Sequence, residues 1–319
     1  MKISVLGCGR WGSVLAWYAD RLGNSVASWG AEDAPSYRVL RDTRQNEYVA
    51  FPDRIEVTCD LSYAVRRADV IIISISAQGL RGFLQKVTAE DISGKTFVLC
   101  MKGIEEPTGK RLSEVAVESG IPADSVAVWV GPGHIQDFVK GIPNCMVIDS
   151  YAPQLTKRLA DAFRSELIRF YYGDDIIGSE IGAAAKNVMG IVAGMLDGLG
   201  LVSLKGPLMA RGAREVARLI EAMGGSGMSA YGLCHLGDYE TTLFSPHSHN
   251  RGWGEAYARG ETFTRLAEGV PTAAAIAHLA ARHDVDMPIT QAVDGMIRFG
   301  TPPMEVLATL FDREPKKEF

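Results

Sequence analysis

The chain has 319 residues, 47% hydrophobic and 22% charged, with a formal net charge of −5. That is the composition of a globular protein long enough for two domains. No basic face stands out, which argues against a nucleic-acid partner.

The first half alternates. Short β-branched runs occur at Ile3–Leu6, Ser25–Trp29, Val70–Ser74, Thr96–Cys100, Val126–Val130, Cys145–Ile148 and roughly Leu167–Tyr171. Helical periodicity fills several gaps between them: Trp11–Leu22, Leu80–Val87, Arg111–Glu118 and Pro153–Arg164. Such alternation predicts βαβ units on a mostly parallel sheet. Beyond about Asp175 no strand-like run appears. Stretches rich in Ala, Leu and Gly follow instead: Ile177–Leu199, Gly206–Met223, Thr272–Arg282 and Pro303–Phe311. The expected fold is α/β, with a Rossmann-type, mostly parallel sheet over 1–175 and an all-α C-terminal domain over 176–319.

The first strand runs into "ISVLGCGRWGSVLA", where Gly7, Gly9 and Gly12 form GxGxxG between a strand and a helix. In that context the pattern predicts dinucleotide binding. Gly7 allows the tight turn, Gly9 admits a pyrophosphate, and Gly12 lets helix and strand pack closely. Arg10 and Trp11, inside the loop, are counted with the cofactor-binding residues. Glu32 and Asp33 follow the second strand at the distance of a ribose-binding acid, which favours NAD over NADP; both also read as solvated loop acids.

The stretch "EIGAAAKNVMGIVAGMLDG" carries one formal charge, Lys186, between Glu180 and Asp197. A lysine in such apolar surroundings needs a partner. Gly182, Gly190 and Gly194 share its helix face and leave room for a second backbone or a ligand. A snorkelling lysine would sit at a helix end or on a polar face, so a functional lysine is the favoured reading. A second lysine, Lys102, lies at the carboxyl end of the strand starting at Thr96, where ligands gather in open α/β sheets.

Together these motifs resemble the cytosolic NAD(P)-dependent glycerol-3-phosphate dehydrogenases. That family's GxGxWG loop is matched by Gly7 to Gly12 with Trp11, its KG-[IL/V]-E stretch by "KGIEEPTGKRLSE", and its "KNV…AG…DGLG" by "KNVMGIVAGMLDGLG". Its "TRG", "GLGDL", "SRNR", "VEG" and "MPI" read here as "ARG", "HLGDY", "SHNR", "AEG" and "MPI". The resemblance spans nearly the whole chain, in order.

The resemblance implies hydride transfer between a nicotinamide and carbon 2 of glycerol 3-phosphate or dihydroxyacetone phosphate, in phospholipid precursor supply. It makes Lys186 the general acid/base, which requires a lowered pKa such as burial and a second ammonium would give. Lys102 is implied as that second charge, touching substrate and cofactor, and Asp238 as the residue that orients Lys186. Gly131, Gly133, Asn187, Ser248, His249, Asn250 and Arg251 fall on substrate-binding positions, and Ile135 and Glu268 on cofactor-binding ones. A homodimer is implied as well.

Two departures stand out. The family's "GPSFA" or "GPTFA" reads "GPGHI", so Gly133 replaces a hydroxyl that contacts substrate. In "SHNR", His249 replaces an arginine; a neutral imidazole lacks the bidentate fork, and a protonated one supplies a single charge. The changes touch substrate recognition and leave Lys102, Lys186 and Asp238 in place. The alternative function is therefore a dehydrogenase of the same architecture acting on another phosphorylated or carboxylated hydroxy compound. A non-catalytic nucleotide-binding scaffold should have lost the lysines.

His235, Asp238, His247 and His249 lie close in sequence and the HxH pair His247–His249 invites a metal reading, but no third ligand falls at a familiar spacing from that pair, and no metal is expected. The five cysteines (Cys8, Cys59, Cys100, Cys145, Cys234) form no CxxC pair, which fits a reducing cytosol. The start, "MKISVLGCGRWG", reads as strand and glycine turn rather than a leader. The apolar run Ile181 to Leu196 contains Lys186 and is short for a membrane span. A cytoplasmic protein without membrane insertion is expected.

Overall fold

The computed structural model describes residues 1–314 and Lys317. The chain divides into two compact units: one comprises 1–102 and 110–180, the other 103–109 and 181–319.

In the first unit, β1 (Lys2–Leu6), β2 (Ser25–Trp29), β3 (Glu56–Thr58), β4 (Val70–Ile73) and β5 (Thr96–Leu99) alternate with α1 (Arg10–Arg21), α2 (Pro35–Thr43), α3 (Leu61–Arg67) and α4 (Leu80–Val87). Two-residue strands follow at Ile104–Glu105 (β6), which falls in the second unit, and Lys110–Arg111 (β7). Then come α5 (Leu112–Glu118), β8 (Val126–Val130), α6 (Ile135–Val139), β9 (Asn144–Ser150), α7 (Pro153–Phe163) and β10 (Ile168–Tyr172). Eight strands form one sheet in the order β10-β9-β8-β5-β4-β1-β2-β3. Every pairing is parallel except β8 with β9.

Strands covered on both faces read as unbroken apolar runs, and β4 (VIII), β5 (TFVL) and β8 (VAVWV) are wholly buried. Trp129 in β8 anchors the core against the rings of Tyr18, Phe163 and Phe170. The chain builds β2 and β3 on one side of β1, then returns to place β4 on the other. That reversal opens a crevice at the carboxyl end of β1, where the glycine loop lies.

In the first unit the missed elements are β3, β7, α2, α3 and α6. β3 is a short edge strand, exposed at its first residue. α2 and α3 each bury only two residues, so their apolar stripes are too thin to register as a period.

The second unit is helical: α8 (Ile176–Gly198), whose first turn belongs to the first unit, α9 (Lys205–Ala222), α10 (His249–Arg259), α11 (Gly269–Arg282), α12 (Pro288–Phe299) and α13 (Pro303–Phe311). α8 is long and apolar enough to cross a membrane, yet 94% of its apolar window is buried inside the protein, so it is a core helix. Its glycines accept a second backbone. A Cβ on Gly194 would lie 1.8 Å from the carbonyl oxygen of Arg251, and one on Gly254 of α10 would lie 1.9 Å from that of Ile191. The two helices therefore approach backbone to backbone. α9 contributes Glu215, whose carboxylate accepts the Ile289 and Thr290 amides and the Thr290 hydroxyl at the start of α12. α10 and α12 went unrecognised in the sequence. The "SHNR" segment is the start of α10: Ser248 caps it by accepting the Arg251 amide.

Gly194→Ala is expected to destabilise by about 1–3 kcal/mol, because the contact is with backbone that cannot swing away. Gly206→Ala, inside α9 with nothing within 4 Å of the added Cβ, should gain about 0.5–1 kcal/mol. Thermal unfolding of the two variants should move in opposite directions from the parent.

Candidate active site

In the first unit, the GxGxxG geometry follows from what the backbone must avoid. Gly7 has φ +110, and a Cβ there would fall 2.1 Å from the Ser74 carbonyl oxygen. A Cβ on Gly12 would fall 1.7 Å from the carbonyl oxygen of Gly7. Gly9 differs: a Cβ would meet nothing within 4 Å. Gly9 is also the N-cap of α1, and no side chain caps that end. Open space before helix amides with no side-chain acceptor is what a pyrophosphate needs, so the residues present fit a dinucleotide.

Around the loop, the Arg10 guanidinium lies 5.7 Å from the Tyr48 ring centroid, and Trp11 packs on Phe138 at 6.1 Å between centroids. Gly133 is constrained by the same pair. A Cβ there would fall 2.8 Å from the Phe138 ring and 3.3 Å from Trp11. Ile135 is buried at the start of α6. Lys102, just past the end of β5, donates to the Gly131 carbonyl at 2.7 Å, and Gly131 has φ +118. Glu32 is exposed beyond β2, and its backbone carbonyl accepts the Arg38 Nε at 3.2 Å.

In the second unit, Lys186 is 6% exposed. Its Nζ lies 2.9 Å from Asp238 Oδ2 and donates to Thr242 Oγ1 at 2.7 Å. Asp238 is fully buried. The Thr242 hydroxyl donates its own proton to the Asp238 carbonyl at 2.7 Å, so its lone pairs face the ammonium. A buried ion pair persists only with such further hydrogen bonds. Gly190 admits the arrangement: a Cβ there would come 2.9 Å from the Thr242 methyl.

Asn187, next to the lysine, accepts the Asn250 side-chain amide at 2.9 Å. Asn250 Oδ1 in turn accepts the Gly269 amide at 2.9 Å. Arg251 donates through Nε to Asp197 Oδ2 at 2.6 Å and lies 3.2 Å from Glu255 through Nη1. Asp197 also holds the buried Lys205 at 2.7 Å. His249 donates from Nδ1 to the Leu266 carbonyl at 3.1 Å, with its ring near Phe263. The Glu268 carbonyl accepts the Thr272 hydroxyl at 2.6 Å at the start of α11.

Of the residues expected at the site, Lys186, Asn187, Asp238, Ser248, His249, Asn250, Arg251 and Glu268 belong to the second unit. Gly7, Gly9, Arg10, Trp11, Gly12, Lys102, Gly131, Gly133 and Ile135 belong to the first. Thr242, Asp197 and Lys205 went unanticipated as partners. Their signal was present in part: Asp197 and Lys205 interrupt apolar runs, and Thr242 stands one turn after Asp238 in "DYETT". Among the described residues, no group of three or more His, Cys, Asp or Glu gathers as a cation site.

Known proteins resemble the chain over its whole length. Residues 2–156 match the model of the NAD-dependent glycerol-3-phosphate dehydrogenase N-terminus, and residues 175–308 that of its C-terminus. Glycerol-3-phosphate dehydrogenase [NAD(P)+] of Chlorobium limicola is 35% identical, over 100% of this chain and 99% of its own. That of Chlorobium phaeobacteroides is 38% identical, over 100% and 99%. The crystal structure of glycerol-3-phosphate dehydrogenase from Coxiella burnetii superposes with a TM-score of 0.90 at 25% identity, covering 98% of this chain and 99% of its own. A nucleotide loop, a partnered buried lysine and likeness over the full length lead to one conclusion: the chain belongs to the NAD-dependent glycerol-3-phosphate dehydrogenase family.

Proposed function

We infer that the protein interconverts sn-glycerol 3-phosphate and dihydroxyacetone phosphate using NAD(P), with Lys186 as general acid/base, and so supplies precursor for glycerophospholipids. The observation that carries the reading is the buried Lys186 ammonium held between Asp238 and Thr242. NAD(P), when bound, gives or takes the hydride at carbon 2. The chain's residues manage the proton. In the reducing direction Lys186 delivers a proton to the oxygen on carbon 2; in the oxidising direction it removes one. Asp238 and Thr242 fix where that proton leaves from. Lys102, Gly131 and Gly133 are assigned to substrate from the nucleotide unit, and Asn187, Ser248, His249, Asn250 and Arg251 from the helical one. Arg251, already oriented by Asp197 and Glu255, suits the phosphate because a guanidinium presents a fork. Gly7, Gly9, Arg10, Trp11, Gly12, Lys102, Ile135 and Glu268 are assigned to cofactor.

The second reading, another phosphorylated or carboxylated hydroxy compound, is favoured by Gly133. No hydroxyl is present there, and even a Cβ would press on the Phe138 ring at 2.8 Å. We read the protein as a cytoplasmic homodimer. The five cysteines, none of them joined in a disulfide, are consistent with that compartment, and the exposed Phe299, Met304 and Phe311 offer an apolar contact.

Lys186→Ala should lower kcat by about 10²–10⁴-fold, the range for a lost acid/base group, with nucleotide binding retained. A near-parent rate would remove Lys186 from the role. Oxidation of NADH and NADPH should be measured with dihydroxyacetone phosphate beside related ketones. Turnover only with another ketone would favour the second reading. NAD is expected over NADP because Glu32 would repel a 2′-phosphate; equal kcat/KM for both cofactors would count against that.

His249→Arg should lower KM for dihydroxyacetone phosphate, since the new guanidinium adds donors that a ring bonded to Leu266 lacks. An unchanged KM would place the phosphate elsewhere. Gly133→Ser alone should lower stability through its clash with Phe138, and adding Phe138→Val should relieve it. If the double variant melts no higher than the single one, the packing explanation for Gly133 fails.

A further inference from the structure

Two buried polar side chains beside Lys186 have no part in the reaction as assigned. His235 and Tyr239 are both 0% exposed. They stand at the two ends of "HLGDY", where the resembling family's motif reads "GLGDL". Glycine and leucine are thus replaced by two residues that bond each other. The Tyr239 hydroxyl lies 2.6 Å from His235 Nε2, and the rings meet edge to face with centroids 4.8 Å apart.

The hydrogen bonds fix the protons. His235 Nδ1 lies 2.8 Å from the Gly182 carbonyl oxygen. A carbonyl only accepts, so Nδ1 carries the proton and donates it. Nε2 is then a lone pair, and the Tyr239 hydroxyl donates to it. The imidazole is neutral: burial pushes it down to about 4, the Gly182 carbonyl opposes that, and the Lys186 charge adds to the depression. The groups facing the pair are Lys186 from α8, Asp238 and Cys234 from its own segment, and Glu215 from α9, whose carboxyl burial pushes up to about 7.

The placement matters because of what each end holds. Gly182 is one helical turn before Lys186 on α8. Tyr239 directly follows Asp238, the carboxylate that pairs with the lysine. The chain His235–Tyr239 therefore ties the backbone that carries the base to the segment that carries its counter-ion. Two glycines make room for it. A Cβ on Gly182 would fall 3.1 Å from the His235 Cβ, and one on Gly212 of α9 would fall 3.1 Å from the Tyr239 hydroxyl. Two ordinary apolar side chains would fill the space without donating to a carbonyl. The polar pair adds a fixed direction, which packing alone does not.

We propose that His235 and Tyr239 are positioning residues for the reaction: their hydrogen-bonded relay from the Gly182 carbonyl sets the Asp238–Lys186 separation and, through it, the proton affinity of the acid/base lysine. The proposal rests on the assignment of Lys186 made above. Neither residue touches substrate or cofactor; both act through Asp238.

Tyr239→Phe removes one oxygen and keeps the ring. It leaves Nε2 without its donor and frees Asp238 to drift from the ammonium. A less well-paired ammonium loses its proton more readily. The alkaline limb of the kcat–pH profile in the reducing direction should therefore move to lower pH, by about half a unit to one unit, with kcat down by roughly tenfold. KM for the nucleotide should stay unchanged. His235→Asn, which keeps a donor for the Gly182 carbonyl, should retain more activity than His235→Ala.

A second measurement needs no substrate. The Lys186 ammonium can be titrated by NMR in protein carrying ¹³Cε-labelled lysine, and its midpoint should be lower in Tyr239→Phe than in the parent. A lower midpoint in Tyr239→Phe, together with a parent that does not turn over dihydroxyacetone phosphate, would overturn the substrate assignment and support the pair. An unshifted midpoint, or a kcat–pH profile that superposes on the parent's, would overturn the pair.

Discussion

The second unit is organised by one electrostatic demand: a lysine ammonium inside an apolar helix must have a counter-charge. Every residue from Ile181 to Leu196 is buried, and Lys186 lies in their midst. Removing an ion from water costs several kcal/mol unless a partner and further hydrogen bonds offset it. Asp238 and Thr242 meet the demand, but only because their segment lies close against α8. That closeness explains why the helix carries glycine at 182 and 190, where any Cβ would press on Cys234, His235 or Thr242. The lysine and the glycines are one feature, since neither is tolerable without the other.

The same logic separates glycines that serve packing from those that serve a ligand. Gly7, Gly12, Gly194 and Gly254 are required because a Cβ would enter neighbouring backbone. Gly9 is not, since the space beyond it is open. A residue type usually selected for what it avoids is there free of that constraint, which fits a loop shaped to receive a pyrophosphate.

How much of this was legible depended on whether the information is local. The buried strands announced themselves, because a parallel sheet covered on both faces needs unbroken apolar runs, as in β4 and β8. Elements with thin apolar stripes, such as α2 and α3, did not. Lys186 was conspicuous because its neighbours are apolar, and Asp238 came from the resemblance. Thr242, Asp197 and Lys205 were opaque as partners. Nothing in the spacing of Lys186 and Thr242 says that the chain returns to place one on the other. The glycine stripe left two occupants open, a ligand or a backbone. At Gly194 it is the backbone of α10.

Gly133 and His249 depart from the resembling family for different physical reasons. At Gly133 the departure is sterically coupled: the Phe138 ring fills the volume a side chain would need, so the lost hydroxyl and the aromatic neighbour belong together. At His249 the change is one of donor number. An imidazole has two ring nitrogens, of which Nδ1 is committed to the Leu266 carbonyl, where an arginine would have offered a fork. On the proposed reading, Arg251 carries the strong anion recognition of that segment, and it is anchored by two carboxylates. Asp197 grips its Nε while Lys205 balances the other oxygen of that carboxylate. On the proposed reading, phosphate recognition rests on one rigid cation rather than two, and an anion with fewer charged oxygens loses less at this site than it would where both arginines stand.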